Sequence, residues 1–438
     1  MTSKHRRVVI TGMGIISPVG NTPDALWDAM SAGRSGVGFL RRIPGDHLPS
    51  GVGGEASEFR GTIDDFGPLE KQLQRTIKKW MKLMCREIEM GVASAQLALN
   101  HAGLTPGSFE PDRIGTLFGC DYIVTDPAEF NRGVMNCLRD GCFDFRLWGE
   151  KGLTEIEPLW LLKYLPNMPA SHVAIYNDLR GPSNSLTVRE ASSNLAIAEA
   201  TTILRRGIAD MMVVGATGSR IHPLRSVHVA IQEQLAHGSG NGALSPSKFC
   251  RPFDAHRTGM VMGEGAGSLI LEDYENAKTR HAAIWGEVIG YGSSTVADLN
   301  QVANYRTAIA NVIRSCLESA NLKAEQVGHV NAHGLGSIRC DQEESQAICD
   351  VLGSDLPVVA AKSYMGNLGA GSGIVELVAS LQAQRHGVLM TTLNYETPDA
   401  KCPIRVVTDR STEPGDSFIN INVTPQGQAS GVIIRRFE

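Results

Sequence analysis

The stretch GPSNSLTVREASSNLAIAEATTILRRG, residues 181–207, constrains this chain more than any other. Ser185 to Val188 reads as a short strand, and Ala191 to Arg206 as a helix closed by two arginines and Gly207. The joint holds Arg189-Glu190, followed by Ser192 and Ser193, small enough to let neighbouring backbone come close. A side chain at such a joint projects over a helix N-terminus, where free N–H groups and the helix dipole favour negative charge. Enzymes place nucleophiles at turns of this kind. Here the side chain is a carboxylate, and two readings stand: Glu190 is a first-turn acid supporting its own helix, or it belongs to a catalytic constellation.

Strands and helices alternate on both sides of this stretch. Strands are expected at 7–11 (ending in Gly12 and Gly14), 114–119, 210–215, 265–272, 284–294, 329–332 and 357–360, and near 403–407, 417–423 and 430–436. Helices are expected at 21–32, 70–103, 167–178, 275–280, 300–320, 340–352 and 369–386. Such alternation means an α/β fold with a largely parallel or mixed sheet. The pattern runs twice, dividing the chain into 1–270 and 271–438; two similar halves packed face to face would hold a site between them. The Gly12-x-Gly14 pair after the first strand lacks the third glycine and the direct helix entry of a dinucleotide loop.

Composition narrows the class. The formal net charge of -5 excludes a chain that attracts nucleic acid as a whole, so an anionic partner has to meet a local patch. Nine scattered cysteines, none in a CxxC pair, point to free thiols in a reducing compartment and away from disulfides or zinc. The basic start MTSKHRRVVITGMG has too short an apolar run for a signal peptide, and no stretch approaches membrane-spanning length. A soluble cytoplasmic protein, with no membrane, nucleic acid, cofactor or metal, is the expectation.

Two stretches suggest surfaces. Lys71, Arg75, Lys78, Lys79 and Lys82 recur at helical spacing and share a face, either solvated or a landing patch for an acidic partner. Residues 121–165 carry Tyr122, Phe130, Phe143, Phe145, Trp148, Trp160 and Tyr164 without clear periodicity, which reads as a lid, a subunit interface or satellite core.

Three late positions join Glu190: His333 in VNAHGLG, and Lys362 and Asn367 in AAKSYMGNLGAGSG, each beyond a strand and beside glycines. Strand carboxyl ends are where α/β sheets bind ligands. Together with VVITGMGIISPVG, PNM (166–168), GPS (181–183) and RPFDAHRTGMVMGEGAG (251–267), Asp341, Glu344 and Glu376, these stretches make the chain resemble a β-ketoacyl-acyl carrier protein synthase, the elongating condensing enzyme of the thiolase superfamily. The resemblance implies a thiolase-like duplicated α-β-α-β-α five-layer fold, a homodimer or a heterodimer with a Cys-bearing ketosynthase, and acyl chains delivered by acyl carrier protein. It makes Lys71, Arg75, Lys78, Lys79 and Lys82 candidates for carrier contact and 121–165 a candidate interface insertion.

At the site the chain departs from that family. Glu190 stands where the resemblance implies a thioester-forming cysteine; His333 and Lys362 match one histidine and the lysine; Asn367 takes the second histidine's place. SFININVTPQG (417–427) replaces a glycine-rich turn, leaving Phe418 and Asn420 as candidate pocket residues, and Tyr122 stands where relatives tend to have small side chains. A carboxylate attacking a thioester would make a high-energy mixed anhydride, so ordinary condensation is not expected. The chain resembles the chain-length factors of polyketide systems, although those usually carry glutamine. Alternatives are malonyl-carrier decarboxylation, general-base chemistry by Glu190, or a non-catalytic carrier-binding module. The charge state of Glu190 stays open, because the helix N-terminus favours the anion and burial the neutral acid.

Overall fold

The computed structural model describes residues 6–105, 107, 109–238 and 244–437; the first residues of the basic start and part of the 233–259 loop lie outside them. The first sheet contains β1 (Val8–Ile16), β2 (Ile114–Cys120), β3 (Ser183–Leu186), β4 (Met211–Ser219) and β5 (Met262–Asp273) in the order β3-β2-β4-β5-β1. The second contains β6 (Gly286–Thr295), β7 (His329–Asn331), β8 (Pro357–Val359), β9 (Ser417–Val423) and β10 (Gln428–Arg435) in the order β8-β7-β9-β10-β6. Strand order and strand sense are the same in both: three parallel strands, then two antiparallel ones. The sheets join where β1 meets β6, at Val9–Glu287 and Ile10–Gly286.

Helices complete the layers. α1 (Arg86–His101) covers the outer face of β1, β4 and β5; α2 (Ser192–Arg205) and α4 (Ser372–His386) lie between the sheets, each touching strands of both; α3 (Tyr305–Ala320) covers β6 and β10. The middle layer explains why α4 has no polar face: Ser372 to Gln384 are all buried. Each large aliphatic side chain buried there contributes roughly 1.5–3 kcal/mol. The fold is the mixed α/β thiolase-like arrangement.

Several boundaries differ from the sequence reading. β1 runs through Gly12 and Gly14 to Ile16. The glycines are required by packing, since a Cβ on Gly14 would lie 2.1 Å from the Ser94 carbonyl oxygen of α1. The single helix expected over 70–103 is two, Lys71–Trp80 and Arg86–His101, because Met84 and Cys85 are extended (ψ 132° and 167°). The first piece is a surface helix burying only Ile77, whereas α1 runs into the core. α3 starts at Tyr305, not Asn300, because the Asn304 side chain caps it by accepting from the Thr307 N–H. The helix Pro223–Gln232, capped by His222, was not foreseen.

Residues 121–165 form short helical turns and a small hairpin whose aromatics pack on one another: Phe130 lies 5.0 Å from Trp160 and 6.1 Å from Trp148 between ring centroids. Phe145 remains 74% exposed. The nine cysteines are free thiols. Among the described residues no helix is long and apolar enough to cross a membrane.

Candidate functional site

β3 ends at Leu186, and a single tight turn, Arg189–Ala191, leads into α2. Arg189 has φ 48°, in the left-handed region. That conformation costs a non-glycine residue about 1–3 kcal/mol. The small residues do what the sequence suggests: a Cβ on Gly119 of β2 would sit 2.7 Å from Ser192 Cβ.

The turn buries Glu190 to 1% exposure. Its Oε1 accepts from Arg220 Nη2 and, at 3.0 Å, from Asn367 Nδ2; Arg189 Nε lies 3.6 Å from Oε2. Arg220 follows β4 directly and is fully buried; Arg189 in turn donates to Glu233 at 2.5 Å. Burial alone would raise the Glu190 pKa, but Arg220 first, then Arg189, outweigh it and hold the carboxyl well below the usual carboxylate range. The question the sequence left open is decided by a residue the sequence reading passed over: Glu190 is an anion because a buried guanidinium faces it.

On the second sheet, His333 follows β7, with its backbone N–H and that of Gly334 donating to the Glu344 carboxylate at 2.6 and 2.8 Å. Lys362 opens a short helical turn after β8; its Nζ donates to Glu376 Oε1 at 2.5 Å and lies 3.3 Å from His333 Nδ1. Asn422 Nδ2 holds the other Glu376 oxygen at 2.8 Å. Burial and then Lys362 keep the His333 pKa well below its ordinary value, so the ring is neutral. With Lys362 donating to Nδ1, its proton is assigned to Nε2.

Glu190 and His333 line one cavity of about 150 Å³, together with Glu233, Tyr305, Cys340 and Thr424. Cys340 brings a thiol to this cavity. Burial, then Glu344 and Asp341, push that thiol well above its ordinary pKa, which leaves it protonated and a poor nucleophile. The cavity therefore offers hydrogen-bond donors beside a fixed carboxylate.

Of the sequence candidates, Glu190, His333, Lys362 and Asn367 converge. Glu190 and His333 line the cavity, Asn367 and Lys362 are bonded to them from behind, and Tyr122, Phe418 and Asn420 neither line it nor bond to these four. Tyr122 lies under the Arg225 guanidinium, 4.4 Å from ring centroid to Cζ. Phe418 is core, stacked on His329 at 5.1 Å between centroids. Asn420 donates to Asn194 and to the Gly373 carbonyl, both at 3.0 Å, tying α2 to α4. Lys71, Arg75, Lys78, Lys79 and Lys82 are all exposed; the first four lie on the surface helix and Lys82 in the turn after it.

The sequence reading missed a buried ionic network. Besides Arg220 and Glu233 it contains Arg225, which pairs with Glu87 at 3.0 Å and Asp121 at 3.4 Å. One signal was present: the strand Met211–Ser219 is buried throughout and ends directly on an arginine, at the same sheet edge as Glu190.

Comparison with known proteins agrees with this fold. Residues 5–277 match "Beta-ketoacyl synthase, N-terminal domain" and residues 285–396 match "Beta-ketoacyl synthase, C-terminal domain". A "3-oxoacyl-[acyl-carrier-protein] synthase 2" of Synechocystis is 31% identical over 93% of this chain and 92% of its own length. Two solved structures share the fold at 24% identity and 99% coverage of this chain, each aligned over 100% of its own chain. One is a type II PKS acyl-carrier protein in complex with its ketosynthase bound to the hexaketide (TM-score 0.83), and the other "the ishigamide ketosynthase/chain length factor" (TM-score 0.82). With both halves matched in order and a relative aligned over nearly its whole length, the chain belongs to the β-ketoacyl synthase family.

Proposed function

We propose that this chain is a condensation-deficient ketosynthase-like subunit of fatty acid or polyketide synthesis. In this reading it meets acyl chains on acyl carrier protein and works as a chain-length-factor-like partner of a Cys-bearing ketosynthase. The observation that carries the reading is the buried Glu190–Arg220 pair at the strand-to-helix joint, where the family resemblance implies the nucleophilic cysteine. A carboxylate neutralised by a guanidinium is stabilised as an ion and is correspondingly weak as a nucleophile. The same pairing counts against the enzymatic alternatives. A carboxylate held far below its usual pKa is a weak general base. An ionised Glu190 would also repel a malonyl carboxylate entering the same cavity.

The partners follow from chemistry and from fold relatives. The fold is shared with a ketosynthase bound to its acyl-carrier protein and with a ketosynthase/chain length factor. The exposed cations of the 71–82 stretch suit an acidic carrier. The 121–165 insertion exposes Phe143, Phe145, Leu153, Leu159 and Leu161, a surface suited to a second subunit. The test is co-expression with a Cys-bearing ketosynthase from the native host. The two should purify together, and condensation from acyl- and malonyl-carrier protein should appear only with that partner; condensation by this chain alone would refute the assignment.

A further inference from the structure

The cavity beside Glu190 has a larger neighbour. A second cavity, of about 520 Å³, is lined by Glu87, Tyr164, Ser219, Ile221, His222 and Arg225. Ser219 and Ile221 flank Arg220 in sequence and face this second space, while Glu190 and Glu233 face the first. Arg220 lines neither and has no exposed surface. Its guanidinium is bonded to Glu190, and the acids that act on it are Glu190, Asp121 and Glu233. Asp121 is bound in turn to Arg225 of the larger cavity. Arg220 thus links the two linings: it is bonded to Glu190 of the smaller cavity and lies between Ser219 and Ile221 of the larger one, with the charges of Asp121 and Glu233 also acting on it.

We propose that Arg220 is a plug that sets which acyl groups fit beside Glu190, an inference that rests on the carrier-bound acyl reading above. With the plug in place only the smaller cavity is open, and a cavity of ~150 Å³ has room for a guest about the size of benzene. An acetyl thioester fits. A longer chain has to pass the Glu190–Arg220 pair, which does not swing aside cheaply, because leaving either ion buried and unpartnered is strongly unfavourable. Without the Arg220 side chain, the two spaces become one long enough for a medium-length acyl chain.

The test measures calorimetric binding of S-acetyl- and S-octanoyl-pantetheine to three proteins: wild type, Glu190→Gln, and the double variant Glu190→Gln/Arg220→Ala. The double variant removes both charges, so no ion is stranded. Wild type and Glu190→Gln should bind the octanoyl thioester at least about tenfold more weakly than the acetyl one, and the double variant should recover that factor. Equal binding of both thioesters by wild type, or no gain in the double variant, would overturn the plug while leaving the acyl site standing. If no thioester binds any of the three proteins, the carrier-bound acyl reading itself fails. A structure of the double variant then still decides the plug: one continuous cavity supports it, and two separate cavities refute it.

Discussion

The two halves build the same joint and fill it differently. After β3 the turn Arg189–Ala191 leads into α2; in the second half the turn Gly369–Gly371 leads into α4. Each turn begins with a left-handed residue, φ 48° at Arg189 and φ 62° at Gly369. Glu190 therefore corresponds to Ala370, and the two turns are stitched across the molecule: Ser193 of α2 donates to the Ala370 carbonyl, and Ser430 of β10 to the Ala191 carbonyl. Glycine supplies the backbone geometry in one copy at no steric cost. In the other, the strain on Arg189 is offset by ion pairs with Glu190 and Glu233. The same backbone thus serves as a pure packing element in one half and carries a buried charge in the other.

The sharpest way to break this comparison is to unpair the charged joint. Arg220→Ala leaves Glu190 ionised without its main partner and should lower stability by about 3–5 kcal/mol. The double variant with Glu190→Gln should recover most of that, read from denaturation midpoints. A fully additive double variant would mean the two residues do not act as a pair.

The uncharged joint should fail for a steric reason instead. A Cβ on Gly369 would lie 2.1 Å from Asp121 Oδ2. Gly369→Ala should therefore cost about 2–4 kcal/mol through clash and left-handed strain together. The reverse change is made together with its ion-pair partner, as Arg189→Gly/Glu233→Gln, so that no buried carboxylate is stranded; it relieves the strain, and its net effect should stay within about 1 kcal/mol. A loss at Arg189 as large as that at Gly369 would undo the contrast.

How far the site could be read in advance follows from the same contrast. Glu190, His333, Lys362 and Asn367 were legible because each sits beyond a strand, beside small residues, in a motif. The duplicated order was legible as alternation, but the pairing of strands was not, since it depends on contacts between β1 and β5 or β6 and β10 that are remote in sequence. Arg220, Arg225, Glu87 and Asp121 were invisible for a different reason. Single charged residues normally read as surface, and only the folded sheets show that four separate elements aim them at one another. The break at Met84–Cys85 went unseen because nothing in GVASAQLALN or KQLQRTIKKW marks a stop; tertiary packing ends one helix and starts the next.

Acidity separates two buried carboxylates on the first sheet's side. Glu190 has its pKa lowered, so its stabilising contribution is present above the unfolded value of about 4.3 and is lost as pH falls through the folded value. Glu87 is pushed the other way by burial, to about 8, despite Arg225. Its unfolded form ionises first, so stability should fall as pH rises from the unfolded carboxylate range towards about 8. Glu87→Gln should flatten that fall without altering the acid limb; an unchanged profile would show that Glu87 titrates normally. The smallest effect expected is at the surface: charge reversal of Lys78 and Lys79 together should slow carrier association several-fold at low salt and little at high salt.

The central claim is that Glu190 is an ion-pair partner and takes no acyl group. Intact-mass measurement after incubation with acyl-carrier protein tests it directly, comparing wild type with Glu190→Cys. Wild type should gain no mass. The variant places a thiol beside Arg220, which favours the thiolate, and should gain one short acyl group. A stable acyl adduct on wild-type Glu190 would contradict the account.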